Sequence, residues 1–326
     1  MIWIDLTNNP HVHFFSQIIN FYRDIAFVTF REINNIRDII KLYGFKAKCV
    51  GKHSTDLLGK LLNSSKRIYL LTKLIRNLNL KVAVAKHSVE LPRVAFGLNI
   101  PTIFIVDNEQ AEAQNRLTIP LVNILIKPIA TDLEKFKNFC EVIEFDGVCE
   151  VANVNARLKI GLDENVKKYL DDEKYNIVLR PCPNSSYCNG HKDILPKIVE
   201  ELNKRLDCHF IAFPRSKKQE LIYKKIATVP EPLDSISLLY ECDFMIGAGG
   251  TMNREAGVLG TPVVSCYPQE LLGVDKYLIE KGRLYYSTNI KEIVSYVEDN
   301  IGKKLGLAKF EDPTHIIKEK ILDYLY

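Results

Sequence analysis

Short apolar, β-branched runs alternate along the chain with longer stretches whose apolar positions recur every three to four residues, the pattern of parallel strands covered by helices. In the first half the runs fall at 2–5 (IWID), 25–30 (IAFVTF), 47–50 (AKCV), 81–85 (KVAVA), 101–106 (PTIFIV) and 122–127 (VNILIK). A second set follows at 176–180 (NIVLR), 208–213 (CHFIAF), 243–247 (DFMIG) and 262–266 (PVVSC). Helical spacing fills the intervals, as over 193–206, where Ile194, Ile198, Leu202 and Leu206 share a face. Strand signals lapse between about 148 and 175, so two α/β domains are expected, 1–155 and 156–326. A last helix over 313–326 is free to pack back on the first domain.

The sharpest local signal is 243–264, DFMIGAGGTMNREAGVLGTPVV. A buried strand ends at Gly247, a glycine-rich turn follows, and a helix begins near Thr251. Glycines let a backbone approach a ligand closely, and the free N–H groups of a helix start attract an anion such as a diphosphate. Gly249, Gly250 and Thr251 are the candidate diphosphate residues. Glu255, one turn into the helix, is placed to accept two ribose hydroxyls. The same pattern also suits a tight strand-to-helix turn with a capping glutamate.

This segment resembles the donor site of GT-B glycosyltransferases, especially the lipid-linked N-acetylglucosaminyltransferase of peptidoglycan synthesis. It is also similar, with one residue more between glycines and glutamate, to the non-hydrolysing UDP-N-acetylglucosamine 2-epimerases. Over nearly its full length the chain resembles an uncharacterised family of GT-B-like proteins. The resemblance implies an α/β fold of GT-B type, two Rossmann-like, doubly wound parallel-sheet domains facing a cleft. It further implies that the glycine turn holds the UDP diphosphate and Glu255 the ribose. Arg180 and Arg215, at the ends of two strands of the second set, are candidates to neutralise the diphosphate, or else are solvated loop arginines.

In the first domain DLTNNPHVHFF puts a polar loop with Asn8 after the first strand, then two histidines. His11 stands where the transferases carry a histidine, and that resemblance implies a base for an acceptor hydroxyl, a role suited to imidazole. His13 reads as a helix-face residue. His87, Ser88 and Glu90 follow the 81–85 strand, and Asp107 and Glu109 follow the 101–106 strand, so polar groups collect at several strand ends, where a sugar or acceptor pocket belongs. Glu109, from a pair with Gln110 similar to the transferases' own, is the second candidate for the chemistry. Ser88 and Glu90 also fit a helix cap, and Asp107 and Glu109 a solvated loop.

Charge sharpens this picture in the first domain only. Residues 1–100 hold 15 Lys and Arg against 6 Asp and Glu, 101–150 hold 4 against 9, and the rest balances at 25 each. Six of the basic residues lie within 57–81, a stretch without an acidic side chain. Leu71, Leu74, Ile75 and Leu78 form one stripe there, with Lys66, Arg67, Lys73 and Arg76 elsewhere, which fits an interfacial helix on anionic membrane or a packed helix with a solvated basic face.

Eight scattered cysteines without a C-x-x-C pair are expected to be reduced. Cys182, Cys188 and His191 match no common zinc spacing. No metal, cofactor or nucleic-acid partner is expected. The N-terminus has no basic start leading into an apolar run, and no stretch reaches the ~18 apolar residues of a spanning helix, so the expected location is cytoplasmic, peripheral at the inner membrane face through 57–81. The functional expectation is metal-independent transfer of a sugar from a UDP donor to a lipid-linked acceptor. The alternatives are a non-hydrolysing nucleotide-sugar 2-epimerase and a non-catalytic nucleotide-sugar binder.

Overall fold

Two parallel sheets organise the residues that the computed structural model describes, 1–33, 35–182 and 191–326. The chain divides into one unit of Met1–Ala156 with Phe310–Tyr326, and a second of Arg157–Lys309.

The first unit holds seven strands: β1 Ile2–Leu6, β2 Ala26–Glu32, β3 Lys48–Lys52, β4 Val82–Lys86, β5 Thr102–Ile105, β6 Ile124–Pro128 and β7 Glu141–Phe145. Their order is β3-β2-β1-β4-β5-β6-β7, so the winding reverses between β1 and β4. Alternation along β1 sends Ile2, Ile4 and Leu6 to one face, against Phe14, Phe15 and Ile18 of the helix Asn9–Phe21 and Ile317 and Ile321 of the helix Pro313–Leu322. Trp3 points to the other face, among Leu71 and Ile75 of the helix Leu57–Ile75 and Leu91 of the helix Glu90–Gly97.

The second unit adds β8 Tyr175–Arg180, β9 Cys208–Ala212, β10 Phe244–Gly247, β11 Val263–Ser265 and β12 Tyr285–Tyr286, in the order β12-β11-β10-β8-β9. Its winding reverses between β8 and β10. Ile177, Leu179, Phe244 and Ile246 pack against Ile198 and Leu202 of the helix Leu195–Asn203. In open parallel sheets ligands bind beyond the carboxyl ends of the strands at such reversals, because the helices there diverge to opposite faces and leave a crevice. Each unit therefore offers one such position.

The apolar stripe of the basic stretch packs inward, as its packed-helix alternative has it, with one basic residue following it. Leu71 and Ile75 are buried, and Arg67 is buried with them. Outward-facing residues of this helix include Leu57, Leu58, Leu61 and Leu62, exposed by 86%, 66%, 65% and 60%. Cys49, Cys140, Cys149, Cys208, Cys242 and Cys266 are free thiols, whereas Cys182 is disulfide-bonded, against the expectation of reduced cysteines throughout. Cys188, part of the sequence considered for metal, lies outside the described residues. Among the described residues no group of His, Cys, Asp and Glu could hold a metal ion.

Candidate functional site

At the β8/β10 reversal Arg180 is paired in register with Gly247, and the Ala248 N–H donates to the Arg180 carbonyl at 2.8 Å. Gly247 has no room for a side chain: a Cβ there would stand 1.9 Å from Asn253 Oδ1, while Asn253 Nδ2 donates to the Gly247 carbonyl at 3.0 Å. That contact clamps the end of β10 onto the first turn of the helix Thr251–Leu259. Gly250 is the N-cap and supplies no side-chain hydrogen bond, so the helix start keeps free N–H groups. A Cβ on Gly249 would stand 2.9 Å from the Arg215 guanidinium, so the turn and that arginine lie side by side.

Arg180, Arg215 and Glu255 come together around this turn. Arg180 donates through Nη1 to the Phe213 carbonyl at 2.8 Å, but its buried Nε has no hydrogen-bond partner among the described residues. Burial first, then the like charge of Arg215, lowers the Arg180 pKa to about 9, with Glu255 opposing. It is therefore still a cation at pH 7, poorly solvated and incompletely paired. Such a group gains from an anion more than a surface arginine does, because its desolvation has already been incurred on folding. Arg215 keeps exposed surface and donates through Nε to the Pro181 carbonyl at 3.3 Å. Arg254 is buried with its Nη1 3.0 Å from Asp275 and close to Gly250. An uncapped helix start flanked by arginines can hold a diphosphate, and the buried Glu255 one turn on can accept hydroxyl hydrogen bonds.

At the β1/β4 reversal the first unit carries two adjoining clusters. One is closed and structural. Arg67 places Nη2 2.6 Å from Asp5 Oδ1, Nη1 3.0 Å from Asp5 Oδ2 and 3.1 Å from Glu90 Oε2, and Nε 2.7 Å from the Val50 carbonyl. Ser88 and Thr29 donate to the same Asp5 carboxylate at 2.7 and 2.6 Å. Burial alone would raise the Asp5 pKa, but the Arg67 charge and these hydrogen bonds hold it below the usual carboxylate value. Ser88 and Glu90, expected in a sugar pocket, are here engaged with Asp5 and Arg67.

The other cluster is open to chemistry. Asp107 receives Lys86 Nζ at 2.5 Å and lies 2.8 Å from His87 Nε2, while His11 Nδ1 sits 3.2 Å from Thr7 Oγ1 and 3.4 Å from the Thr7 N–H. His87 adopts φ 49°, the left-handed region that a residue with a Cβ enters only where its surroundings compel it. His13 bonds Tyr43 at 2.7 Å in the core, as a helix-face residue would. Asn8 is the N-cap of the helix Asn9–Phe21 and makes no side-chain capping hydrogen bond, and Glu109 is half-buried in the loop after β5.

A family model described as "Protein of unknown function (DUF354)" matches residues 1–326. The chain belongs to this family. A relative in Methanocaldococcus jannaschii, described as "Uncharacterized protein MJ0665", is 57% identical over 335 residues, with 99% of this chain and 98% of the relative covered. Among solved structures, UDP-GlcNAc 2-epimerase from Neisseria meningitidis bound to UDP-GlcNAc aligns with TM-score 0.74, 16% identity and 99% coverage of both chains. The Spinosyn forosaminyltransferase SpnP aligns with TM-score 0.59 and 13% identity, with 100% of this chain and 99% of that chain covered. At these identities the likeness establishes the fold: this DUF354 chain has a GT-B-like α/β fold shared by epimerases and glycosyltransferases.

In this family member the sequence reading gathered the second-unit residues Arg180, Arg215, Gly249, Gly250, Thr251 and Glu255, and all of them lie at one sheet reversal. It did not single out Lys86 or Arg254. Lys86 closes a strand that read as wholly apolar apart from its ends, and its position beside a loop histidine was the available signal. Arg254 stands four residues after Gly250, hence on the same helix face, a spacing that would have placed it at the turn.

Proposed function

We propose that the chain is a nucleotide-sugar enzyme that binds a UDP-linked sugar through the second unit and inverts the carbon next to the anomeric centre, as a 2-epimerase does. The observation that carries the nucleotide assignment is the buried Nε of Arg180, without a hydrogen-bond partner among the described residues, beside the start of the Thr251–Leu259 helix, which has no side-chain cap. The solved relative at TM-score 0.74 is described as bound to UDP-GlcNAc, which supports the same ligand class here.

Two observations favour epimerisation over the sugar transfer that the sequence suggested first. The epimerase aligns at TM-score 0.74 and the transferase at 0.59. His11, the base that transfer would use, is held well below its ordinary pKa by burial, then by the charges of Lys86 and His87. Its Nδ1 faces the Thr7 N–H, which can only donate, so that lone pair is already occupied.

The chemistry suits the anion site. The C2 proton has no adjacent carbonyl to acidify it, so it leaves most easily as the neighbouring C1–O bond to the diphosphate breaks. The C–H electron pair becomes the C1–C2 double bond and the diphosphate takes the C–O pair. Arg180, Arg215 and the helix N–H groups would stabilise that leaving charge. Return of the diphosphate to C1 and of a proton to the opposite face of C2 completes the inversion.

In heavy water with EDTA and no acceptor, UDP-GlcNAc is expected to return with deuterium at C2, read by NMR. UDP release that requires an added acceptor, with C2 unlabelled, would restore the transferase reading. Tight binding with neither outcome would identify a non-catalytic binder.

The helix Leu57–Ile75 supports a separate proposal, that this face docks on anionic lipid. Its four outward leucines stand beside exposed Lys60, Lys66 and Lys73, and residues 57–81 contain no acidic side chain to oppose a negative surface. Insertion of leucine tips with basic residues at the headgroup level is how interfacial helices bind, each basic residue adding about 1 kcal/mol near such a surface. Among the described residues no helix is long and apolar enough to cross a membrane. Sedimentation with phosphatidylglycerol vesicles is expected to fall steeply with salt and to vanish in Leu61→Asp/Leu62→Asp. Equal sedimentation with neutral vesicles, or a dimer in solution that the same double substitution dissolves, would overturn this placement.

A further inference from the structure

We propose that the first unit has a phosphate site of its own at Arg31, where β2 ends, with His53 and Lys60 beside it. All three residues belong to that unit, so the site stands independently of the nucleotide-sugar reading.

The site begins with a bulge. Between β2 and β3 the register runs from Phe30 with Cys49 to Glu32 with Lys52, so β3 takes three steps where β2 takes two. Gly51 takes up the extra residue at φ 76°, in the left-handed region, and a Cβ there would stand 3.1 Å from Arg67 Cδ. Arg67 Nε donates to the Val50 carbonyl at 2.7 Å, which pins the bulge to the closed cluster. Bulges re-aim the side chains around them and are over-represented beside binding sites. The residue of β2 that lies opposite this bulge is Arg31.

Arg31 is a cation that the fold leaves underpaired. Its Nη2 donates to the Thr7 carbonyl at 3.0 Å, while its buried Nε has no hydrogen-bond partner among the described residues. The acids whose charge it feels, Glu90 and Asp5, are bonded to Arg67 instead. Burial is the largest influence on the Arg31 pKa and lowers it; Glu90 and Asp5 oppose, Arg67 adds, and burial prevails. A guanidinium stays charged in proteins all the same. With its hydration already reduced on folding, such a group gains more from an incoming anion than a solvated arginine does. Arg31 also keeps part of its surface exposed, so an anion has access to it.

The residues beside Arg31 make the place more positive. His53 follows β3 and is tied back by its N–H, which donates to the Glu32 carbonyl at 3.0 Å. Lys60 lies near the start of the helix Leu57–Ile75 and is exposed. After burial, Arg31 and then Lys60 lower the His53 pKa, with Glu90 opposing, so the fields of the two cations overlap at this ring. The other acids of the region are engaged elsewhere. Glu32 pairs with Arg37, and Asp56 accepts from the Gly59 N–H at 2.7 Å and the Ser54 hydroxyl at 2.9 Å. Arginine, histidine and lysine donors carried by two strand ends and a helix suit a group with oxygens on several sides, a phosphate, better than a planar carboxylate. Lys60 stands among the exposed Leu57, Leu58, Leu61 and Leu62, so the phosphate has two sources to distinguish, a lipid headgroup and a soluble phosphorylated ligand.

The full chain labelled with 15N in its arginines tests the site, with the Arg31 Nε–H signal assigned by its loss in Arg31→Lys. Inorganic phosphate is titrated at constant ionic strength, in the wild type and in Arg180→Ala, where the anion site of the second unit is weakened. The Arg31 signal should shift saturably in both. By calorimetry in the Arg180→Ala background, Arg31→Lys, which keeps the charge and loses the planar fork, should lower phosphate affinity about ten- to a hundred-fold. Lys60→Gln, at an exposed position where folding is not at stake, should lower it about two- to five-fold. Phosphatidylglycerol vesicles separate the sources. A headgroup ligand predicts that Arg31→Lys sediments with them at least ten-fold more weakly than the wild type. A soluble ligand predicts equal sedimentation of the two proteins alongside the saturable phosphate shift. An Arg31 signal that phosphate leaves in place or moves without saturation, together with equal vesicle binding, would overturn the proposal. So would a phosphate affinity that neither Arg31→Lys nor Lys60→Gln changes. Failure of UDP to bind would sink the nucleotide-sugar reading and leave these outcomes untouched.

Discussion

Replacing Arg67 by methionine should destabilise the first unit by about 3–5 kcal/mol, the cost of leaving buried charges without their partner. Methionine fills similar space, so the loss measures charge pairing and hydrogen bonding rather than a cavity. For a unit of 150–250 residues this corresponds to a fall in melting temperature of roughly 6–20 °C. The dependence on pH should also change sign. In the wild type the Asp5 pKa is lowered, so its contribution is fully present above the unfolded value near ~3.9 and is lost only as pH falls through the lower folded value. Without Arg67, burial is left to dominate and raises that pKa above the unfolded one. Stability should then decline as pH rises through the new folded value, so the variant recovers part of its loss between neutral pH and about pH 4. A triple variant Asp5→Asn, Arg67→Met and Glu90→Gln should recover part of it at neutral pH, because no buried charge remains unpaired. An Arg67→Met protein that melts with the wild type would refute the structural role given to this cluster.

The same arginine shows where the sequence stops being informative. Residues 57–81 read as a basic stretch, and composition cannot say which of six cations turns inward. Arg67 does so because it lies four residues before Leu71, on the buried side of the helix, and because Asp5 sits on the matching face of β1. A charged residue inside a strand reads as a break or an edge until its partner is known, and that partner is 62 positions away. β7 was missed for a related reason: Glu141 and Glu144 interrupt its apolar pattern, and as the outer strand of its sheet it leaves both partly exposed, Glu144 paired with the buried Lys127 and Glu141 with the half-buried Lys320. The two-residue β12 is too short to leave any periodicity.

The second-unit turn was legible because its signal is local. Strand end, glycines and helix start follow one another in the chain, and at Gly247 the Asn253 side chain occupies the space that a Cβ would need. The first-unit cluster assembles Thr7, Lys86, His87 and Asp107 from three strand ends and His11 from the helix Asn9–Phe21, so the residue types were visible but their pairing was not. Which ring nitrogen of His11 is occupied depends on one N–H of Thr7, and no spacing rule encodes it.

Arg180→Ala supplies the second large effect, on binding rather than folding. Hydrogen bonds to charged groups contribute about 1.5–3 kcal/mol, so UDP affinity should fall about ten- to a hundred-fold. With UDP at 100 times the wild-type Kd, ligand stabilises the wild type by about 2.7 kcal/mol, and a hundred-fold weaker site by only about 0.4 kcal/mol. For a unit of this size the thermal shift should drop from roughly 5–10 °C to about 1–2 °C. The protein without ligand should melt close to the wild type, because the loss of the Nη1 hydrogen bond to the Phe213 carbonyl is offset by removal of a partly buried guanidinium whose Nε has no partner among the described residues. This combination separates a ligand-facing arginine from a structural one such as Arg67, whose loss should act on stability first. Glu255→Gln should weaken UDP binding without removing the response to inorganic diphosphate, since it changes the hydroxyl acceptor and leaves the anion site in place. Isothermal titration with UDP and diphosphate in EDTA, paired with melting curves of each variant, decides the matter. Unchanged UDP affinity in Arg180→Ala, or an unliganded melting temperature several degrees lower, would remove Arg180 from the nucleotide site.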